Sequence, residues 1–104
     1  MQTQVSILHH DYPARVRDQI TDRLQHLAKF YDRIVSVRAL LERQNEEHRV
    51  EIVTNVGKGA VLVVDARAEQ FSGALDEALA RMERMLKDHN ERISDARRRR
   101  SREG

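Results

Sequence analysis

Apolar residues recur with two different periods along this chain, and the changes of period predict its elements. In residues 71–96 they recur at spacings of three, four and seven, which places them on one stripe of a 3.6-residue helix. The stripe consists of Phe71, Leu75, Ala78, Leu79, Met82, Leu86 and Ile93. Residues 14–30 show the same helical spacing, with Val16, Ile20 and Leu24 on one side. We therefore predict two amphipathic helices, each with one face turned toward a core.

Four other stretches alternate apolar and polar residues, which is the period of a strand with one buried face. These stretches are Gln2–Leu8, residues 34–43, residues 49–56 and Ala60–Ala68. Asp11 and Pro13 suit the start of the first helix, as a cap and as a first-turn residue. Residues 44–48 are typical of a hairpin loop. Residues 57–59 predict a tight turn, because glycine reaches positive φ without steric cost.

The order strand, helix, three strands, helix predicts a β-α-β-β-β-α fold of the α+β class, a two-layer sandwich. The first strand–helix–strand unit should be a right-handed crossover between parallel neighbours, and the later strands should form antiparallel hairpins. Both helices should cover one face of this four-stranded mixed sheet. The other face should meet water through Ser36, Arg38, Glu42, Arg49, Glu51, Asp65 and Arg67. Val61 and Val63 interrupt this polar face, either as ordinary exposed residues or as a docking place.

Length and composition restrict the protein to a few classes. A chain of 104 residues supports one core, so we expect a single domain over residues 1–96 and a basic, disordered tail over residues 97–104. The absence of cysteine excludes disulfides, thiolate catalysis and cysteine-based zinc sites. Two tyrosines, two phenylalanines and no tryptophan argue against a surface that stacks many bases. No apolar run is long enough to span a membrane and no leader is evident, so we expect a cytoplasmic protein.

The charge is unevenly distributed, although the net value is only +2. From Arg81 onward there are nine Lys and Arg against five Asp and Glu, a local charge of +4. Residues 1–80 carry ten against twelve, a local charge of −2. A cationic end on a nearly neutral body indicates a polyanionic partner, or alternatively only a solvated arginine-rich terminus.

The sequence gives little support to catalysis or to metal binding. His9 and His10 are adjacent, but no carboxylate pattern around them forms a ligand signature, which favours a polar turn over a metal site. Residues 57–59 are not a phosphate-binding loop, because the residues around them lack the spacing of a Walker motif. Ser72 and Ser94 have no sign of an activating base. We therefore expect no catalytic residue, no metal, no cofactor and no small-molecule substrate.

The basic outer surfaces of the two helices are better candidates for function. If the helices lie side by side, cations of the first come near cations of the second and could follow the phosphates of structured RNA. The candidate residues are Arg23, His26, Lys29, Arg33, Arg81, Arg84, Lys87 and Arg92. The alternative is an ordinary solvated face, since Asp22, Asp32, Asp88 and Glu91 interrupt the cations.

Residues 22–34 read DRLQHLAKFYDRI, and they are followed by the opening of the last helix at residues 74–76 and by Leu79, Met82, Glu83, Arg84 and Leu86. In this order and spacing they resemble the short ribosome hibernation-promoting factors and ribosome-associated inhibitors, also called sigma-54 modulation proteins. The resemblance covers residues 5–93.

This resemblance implies a fold similar to double-stranded-RNA-binding domains and a site in the decoding channel of the small ribosomal subunit. Such proteins silence idle ribosomes in stationary phase or under stress, by occlusion and not by chemistry. The family's basic positions fall on Arg23, His26, Arg33, Arg81, Arg84 and Arg92. His26 stands where a lysine is usual, and histidine is only partly charged near neutral pH.

Two hypotheses follow. The first is a ribosome hibernation factor whose partner is the ribosomal RNA of the small subunit, without a membrane and without a substrate. The second is a regulatory or protein-interaction module of the same fold, which docks a protein through its open sheet face at Val61 and Val63. Weak self-association is left open under both.

Overall fold

In a computed structural model, which describes residues 1–8 and 11–103, the helices and strands follow the predicted order. The elements are β1 at Gln2–Leu8, α1 at Ala14–Gln25, a 3₁₀ helix at His26–Lys29, β2 at Ser36–Gln44, β3 at Glu47–Gly57, β4 at Ala60–Ala68 and α2 at Phe71–Glu103. The prediction of a polar turn at His9 and His10 lies outside the described residues.

The four strands form one mixed sheet in the order β1-β2-β3-β4, as predicted. β1 pairs parallel with β2, so that Gln2 lies opposite Ser36, and the other neighbours are antiparallel. The β2–β3 connection is tighter than the loop predicted over residues 44–48. Asn45 adopts a φ of 56°, a left-handed conformation that asparagine tolerates better than most residues, so the strands continue up to a two-residue turn.

The core lies between the sheet and the two helices, which both cover the same face. α1 packs on β1 and β2, and α2 packs on β3 and β4. The helical stripes supply its centre, since Ile20, Leu24, Met82 and Leu86 are each at most 1% exposed. Burial of a side chain of this size contributes roughly 1.5–3 kcal/mol. The apolar periodicity therefore identified the buried side of each helix correctly.

The first helical segment differs from the continuous helix predicted over residues 14–30. α1 ends at Gln25 and tightens into the 3₁₀ helix, where the Phe30 amide donates to the Leu27 carbonyl at 3.0 Å. Tight turns of this kind are common at helix ends. The start also differs, because Pro13 is the N-cap residue and no side chain caps the helix. The predicted capping role of Asp11 is therefore wrong.

The last helix is longer than its apolar stripe. It continues through the basic run to Glu103, beyond the end that we predicted near residue 96. Arginine is a good helix former, which is consistent with this extension. At 1.5 Å per residue the helix is about 50 Å long, in a molecule that measures 55 × 21 × 20 Å. The separation into a domain of residues 1–96 and a disordered tail stays a prediction.

The open face of the sheet carries an ion cluster centred on Arg49. Its guanidinium lies 2.6 Å from Asp65, 2.9 Å from Glu51 and 3.3 Å from Glu42. We predicted Glu42 to meet water, but it is only 8% exposed. This part of the prediction is wrong, because the alternating pattern cannot show that a neighbouring strand supplies a partner for the carboxylate. We call these four residues the Arg49 cluster.

Candidate nucleic-acid interface

All eight predicted cations are exposed, and they lie on the helical layer of the sandwich. Arg23 lies on α1, His26 and Lys29 on the 3₁₀ helix, and Arg33 in the connection to β2. Arg81, Arg84, Lys87 and Arg92 lie on α2. We call these eight residues the helical cations. Apart from Arg33, their positions follow from the amphipathic spacing, since the stripe that faces the sheet leaves the polar side of each helix in water.

An ion pair between Arg23 and Asp76 connects the two helices. Arg23 Nη1 donates to Asp76 Oδ1 at 2.7 Å, with side chains that are 47% and 63% exposed. Exposed pairs of this kind contribute between 0 and about 1 kcal/mol. A phosphate oxygen could therefore replace the Asp76 carboxylate at little cost.

The shallow groove beside this pair is mixed in charge. Asp22, Arg23 and His26 line one side of it, and Leu79 and Glu83 line the other. Asp22 interrupts the cations, as the alternative interpretation of the sequence anticipated, and Glu83 adds a second carboxylate. A polyanion would therefore contact separate cations along the helical layer and not a continuous basic strip.

His26 presents a defined nitrogen to solvent. Its Nδ1 lies 3.0 Å from the carbonyl oxygen of Asp22. Because a carbonyl only accepts, Nδ1 must be the donor, which leaves Nε2 for an external partner.

The cations of α2 do not all face the first helical segment. Arg81 donates to the Asp65 carbonyl oxygen of β4 at 2.9 Å and lies 3.9 Å from Glu77. Arg81 is therefore on the β4 side of α2. The prediction that it lies beside Arg23 is wrong. Lys87 does approach the first segment, since its Nζ lies 4.9 Å from the centre of the Phe30 ring. This cation–π contact brings Lys87 to the end of the 3₁₀ helix.

The structure adds cations that the sequence prediction missed. Lys58, Arg97 and Arg100 join Arg33 around a cavity of about 340 Å³ between the β3–β4 turn and the last turns of α2. Continuing the helical spacing beyond Ile93 would have found the two arginines, because positions 93, 97 and 100 lie on one side of a helix. The prediction of a disordered tail over residues 97–104 does not include this helical spacing.

Two further observations describe what the chain contains. Within the described residues, no group of three or more His, Cys, Asp and Glu side chains could hold a metal ion. In the same part of the chain, no helix is both long and apolar enough to cross a membrane.

Comparison with protein families gives a match over most of the chain. Residues 3–94 match the family described as sigma 54 modulation protein / S30EA ribosomal protein. A ribosome hibernation promoting factor from Pseudomonas putida is 26% identical over 92 residues, which are 88% of this chain and 89% of that protein. A protein of the same name from Azotobacter vinelandii is 27% identical over 92 residues, 88% of this chain and 85% of the relative.

Solved structures share the fold. The N-terminal domain of Protein Y from Thermus thermophilus superimposes with a TM-score of 0.76 at 20% identity, over 86% of this chain and 99% of that domain. A ribosomal subunit interface protein from Coxiella burnetii gives a TM-score of 0.77 at 14% identity, over 86% and 98%. At these identities the likeness concerns the fold, and it agrees with the α+β sandwich that the periodicity predicted.

Proposed function

This chain belongs to the sigma 54 modulation protein / S30EA ribosomal protein family, and from that membership we propose that it is a ribosome hibernation factor. In this proposal it binds the decoding channel of the small ribosomal subunit and blocks translation in idle or stressed cells. Members of the family are not enzymes, so the protein acts by binding. Its place of action is the cytoplasm, where ribosomes are found.

The observation that carries the proposal is the number of exposed cations on the helical layer, compared with the open sheet face. The helical layer exposes all eight helical cations. On the open sheet face, Arg38 and Arg67 are exposed, whereas the Arg49 guanidinium contacts three carboxylates. More exposed cations can attract a polyanion on the helical layer than on the sheet face. The helical layer is therefore the side that we expect to face ribosomal RNA.

The helical cations would bind RNA mainly through its phosphates. Arginines such as Arg84 and Arg92, which are exposed on α2, can donate two parallel hydrogen bonds to one phosphate. Each neutralised phosphate releases counterions, so affinity should fall steeply as salt rises. Occupation of the channel by a folded domain is enough to exclude messenger and transfer RNA. No bond has to be made or broken.

Co-sedimentation with purified small ribosomal subunits, at low and high salt, tests this function. The unmodified protein should pellet with subunits at low salt, and pelleting should decrease at high salt. The double variant Arg84→Glu, Arg92→Glu should not pellet, since it places carboxylates against the RNA. The matched control is Arg38→Glu, Arg67→Glu, which makes the same change of charge at two exposed cations of the open sheet face.

The control should pellet like the unmodified protein. Equal losses in both double variants would show that only net charge matters and would reject the helical interface. Failure of the unmodified protein to pellet at low salt would reject ribosome binding itself.

A protein-docking module is the second candidate, and the exposed valines of β4 favour it. Val61 and Val63 are each 52% exposed and project from the same face of the edge strand. In this alternative the sheet face holds a protein partner, and binding changes little with salt. The substitutions Val61→Lys and Val63→Lys would then abolish partner binding, while the helical variant would leave it intact.

A further inference from the structure

A basic cavity lies at the end of the molecule where the β3–β4 turn meets α2. Its volume is about 340 Å³, which falls in the lower part of the range for small-molecule sites. Tyr31, Val56, Ala60 and Ile93 form an apolar wall. We call this space the β3–β4 cavity.

Four cations surround this apolar wall, and they come from three separate segments. They are Arg33, Lys58, Arg97 and Arg100. None of the described residues that line the cavity is acidic. The adjacent Arg98, by contrast, lies 3.0 Å from Asp95 and does not line the cavity. The lining therefore combines an apolar surface with concentrated positive charge.

The backbone at Lys58 is unusual for a lysine. Its φ is 54°, in the left-handed region, between Gly57 and Gly59. An L-residue with a long side chain is strained there, because its Cβ comes too close to the following carbonyl oxygen. The other tight turn of the sheet uses Asn45 at nearly the same angle, which is the ordinary choice. Turn geometry alone therefore does not account for a lysine, whereas an ammonium group at the edge of the cavity does.

His89 adds a polar group to the same wall. Its Nε2 is buried and has no hydrogen-bond partner among the described protein atoms. The ring meets the edge of Tyr31, with 4.9 Å between ring centres and 84° between planes. Such a nitrogen is normally satisfied by a water molecule or by a ligand group.

We propose that the β3–β4 cavity binds a single nucleotide. The four cations hold its phosphate oxygens, and its base lies against the apolar wall near Ile93. A simple anion site would not need the apolar wall, and a second nucleotide would exceed the cavity of about 340 Å³. The nucleotide is either free in solution or part of ribosomal RNA, and the second source rests on the proposed function.

Calorimetric titration of the full chain with adenosine monophosphate, guanosine triphosphate and inorganic phosphate tests the free source. The cavity variant is Arg97→Gln, Arg100→Gln, and the matched control is Arg98→Gln, Arg99→Gln, which removes the same charge from the same helical segment. Neither pair is buried, so both variants should fold. We expect nucleotide affinity to fall about tenfold or more in the cavity variant, because losing one charge-assisted hydrogen bond lowers affinity by about that factor. In the control variant, nucleotide affinity should change by less than about threefold.

Lys58→Asn provides a second variant, because asparagine suits the turn as Asn45 does. It should weaken nucleotide binding without destabilising the fold. Inorganic phosphate should bind more weakly than either nucleotide, since it makes no contact with the apolar wall.

Co-sedimentation of the same variants with small subunits tests the RNA source. Loss of pelleting in the cavity variant but not in the control, without binding of free nucleotide, would assign the nucleotide to ribosomal RNA. Equal effects of both variants in the two assays, or no effect in either, would overturn the inference. If the unmodified protein does not pellet, the proposed function fails, and the calorimetric result then decides the cavity by itself.

Discussion

Arg49 and Arg23 are both paired with carboxylates, but they differ in exposure and in the number of their partners. Arg49 is 19% exposed and contacts three carboxylates on the open sheet face. Its hydrogen bond with Asp65 is the largest cause of a pKa raised above the ordinary arginine value, and burial opposes it. Arg23 is 47% exposed and contacts one carboxylate, that of Asp76.

The difference shows what determines whether an arginine stabilises the fold or binds an external anion. A partly buried guanidinium with several partners stabilises the fold and has little capacity left for an external anion. An exposed guanidinium with a single partner adds little stability and can exchange that partner for a phosphate. Net charge and composition do not separate the two cases. Mutations at the two sites should therefore have opposite consequences for stability and for binding.

The largest expected effect on stability is at Arg49. Arg49→Met should lower the free energy of unfolding by about 2 kcal/mol, because it removes the guanidinium that three neighbouring carboxylates share. Urea unfolding followed by circular dichroism measures this change. Pelleting with small subunits should be unchanged in the folded variant. A loss of pelleting without a loss of stability would mean that Arg49 binds RNA and does not stabilise the fold.

Asp65→Asn should have a smaller effect on the same cluster. It removes one strong partner of Arg49, but it also removes repulsion between Asp65 and the carboxylates of Glu42 and Glu51. We expect a loss of about 1 kcal/mol, reduced by the 39% exposure of the Asp65 side chain. The same urea titration measures it. A loss equal to that of Arg49→Met would mean that Glu42 and Glu51 contribute nothing.

Arg23→Gln should have the smallest effect on stability, at most about 0.5 kcal/mol. Its effect should appear in RNA binding instead. When the logarithm of the affinity for small subunits is plotted against the logarithm of the salt concentration, the slope should become shallower by about 1. This is the value for one lost phosphate contact. Asp76→Asn is the matched control, since it breaks the same pair but keeps the cation. An unchanged salt dependence in Arg23→Gln would remove Arg23 from the interface.

Most of the fold could be predicted because its signals are local. Helical spacing identified most of the buried residues of both helices, and alternation identified the four strands. The incorrect predictions concern features that depend on contacts distant in sequence or on the detailed geometry of a segment. The burial of Glu42 depends on Arg49 of the neighbouring strand, and the 3₁₀ turn after Gln25 leaves the apolar spacing intact. Periodicity cannot detect either one.

The candidate site was harder to predict than the fold. The spacing correctly placed the helical cations on exposed surfaces, but it could not tell which flank of α2 each would occupy. Arg81 reaches β4, whereas Lys87 reaches Phe30. The β3–β4 cavity was missed because its cations come from segments far apart in sequence. Only the tertiary fold brings Lys58 and Arg97 to one place.

The parallel pairing of β1 has a consequence for the order of folding. β2, β3 and β4 are joined by tight turns and can pair soon after they meet, because each loop that must close is short. β1 can join β2 only after the intervening helical segment has folded back across the sheet. None of its residues is fully buried, so its docking adds less than that of the inner strands. The first strand of the chain should therefore be the last to assemble and the first to detach.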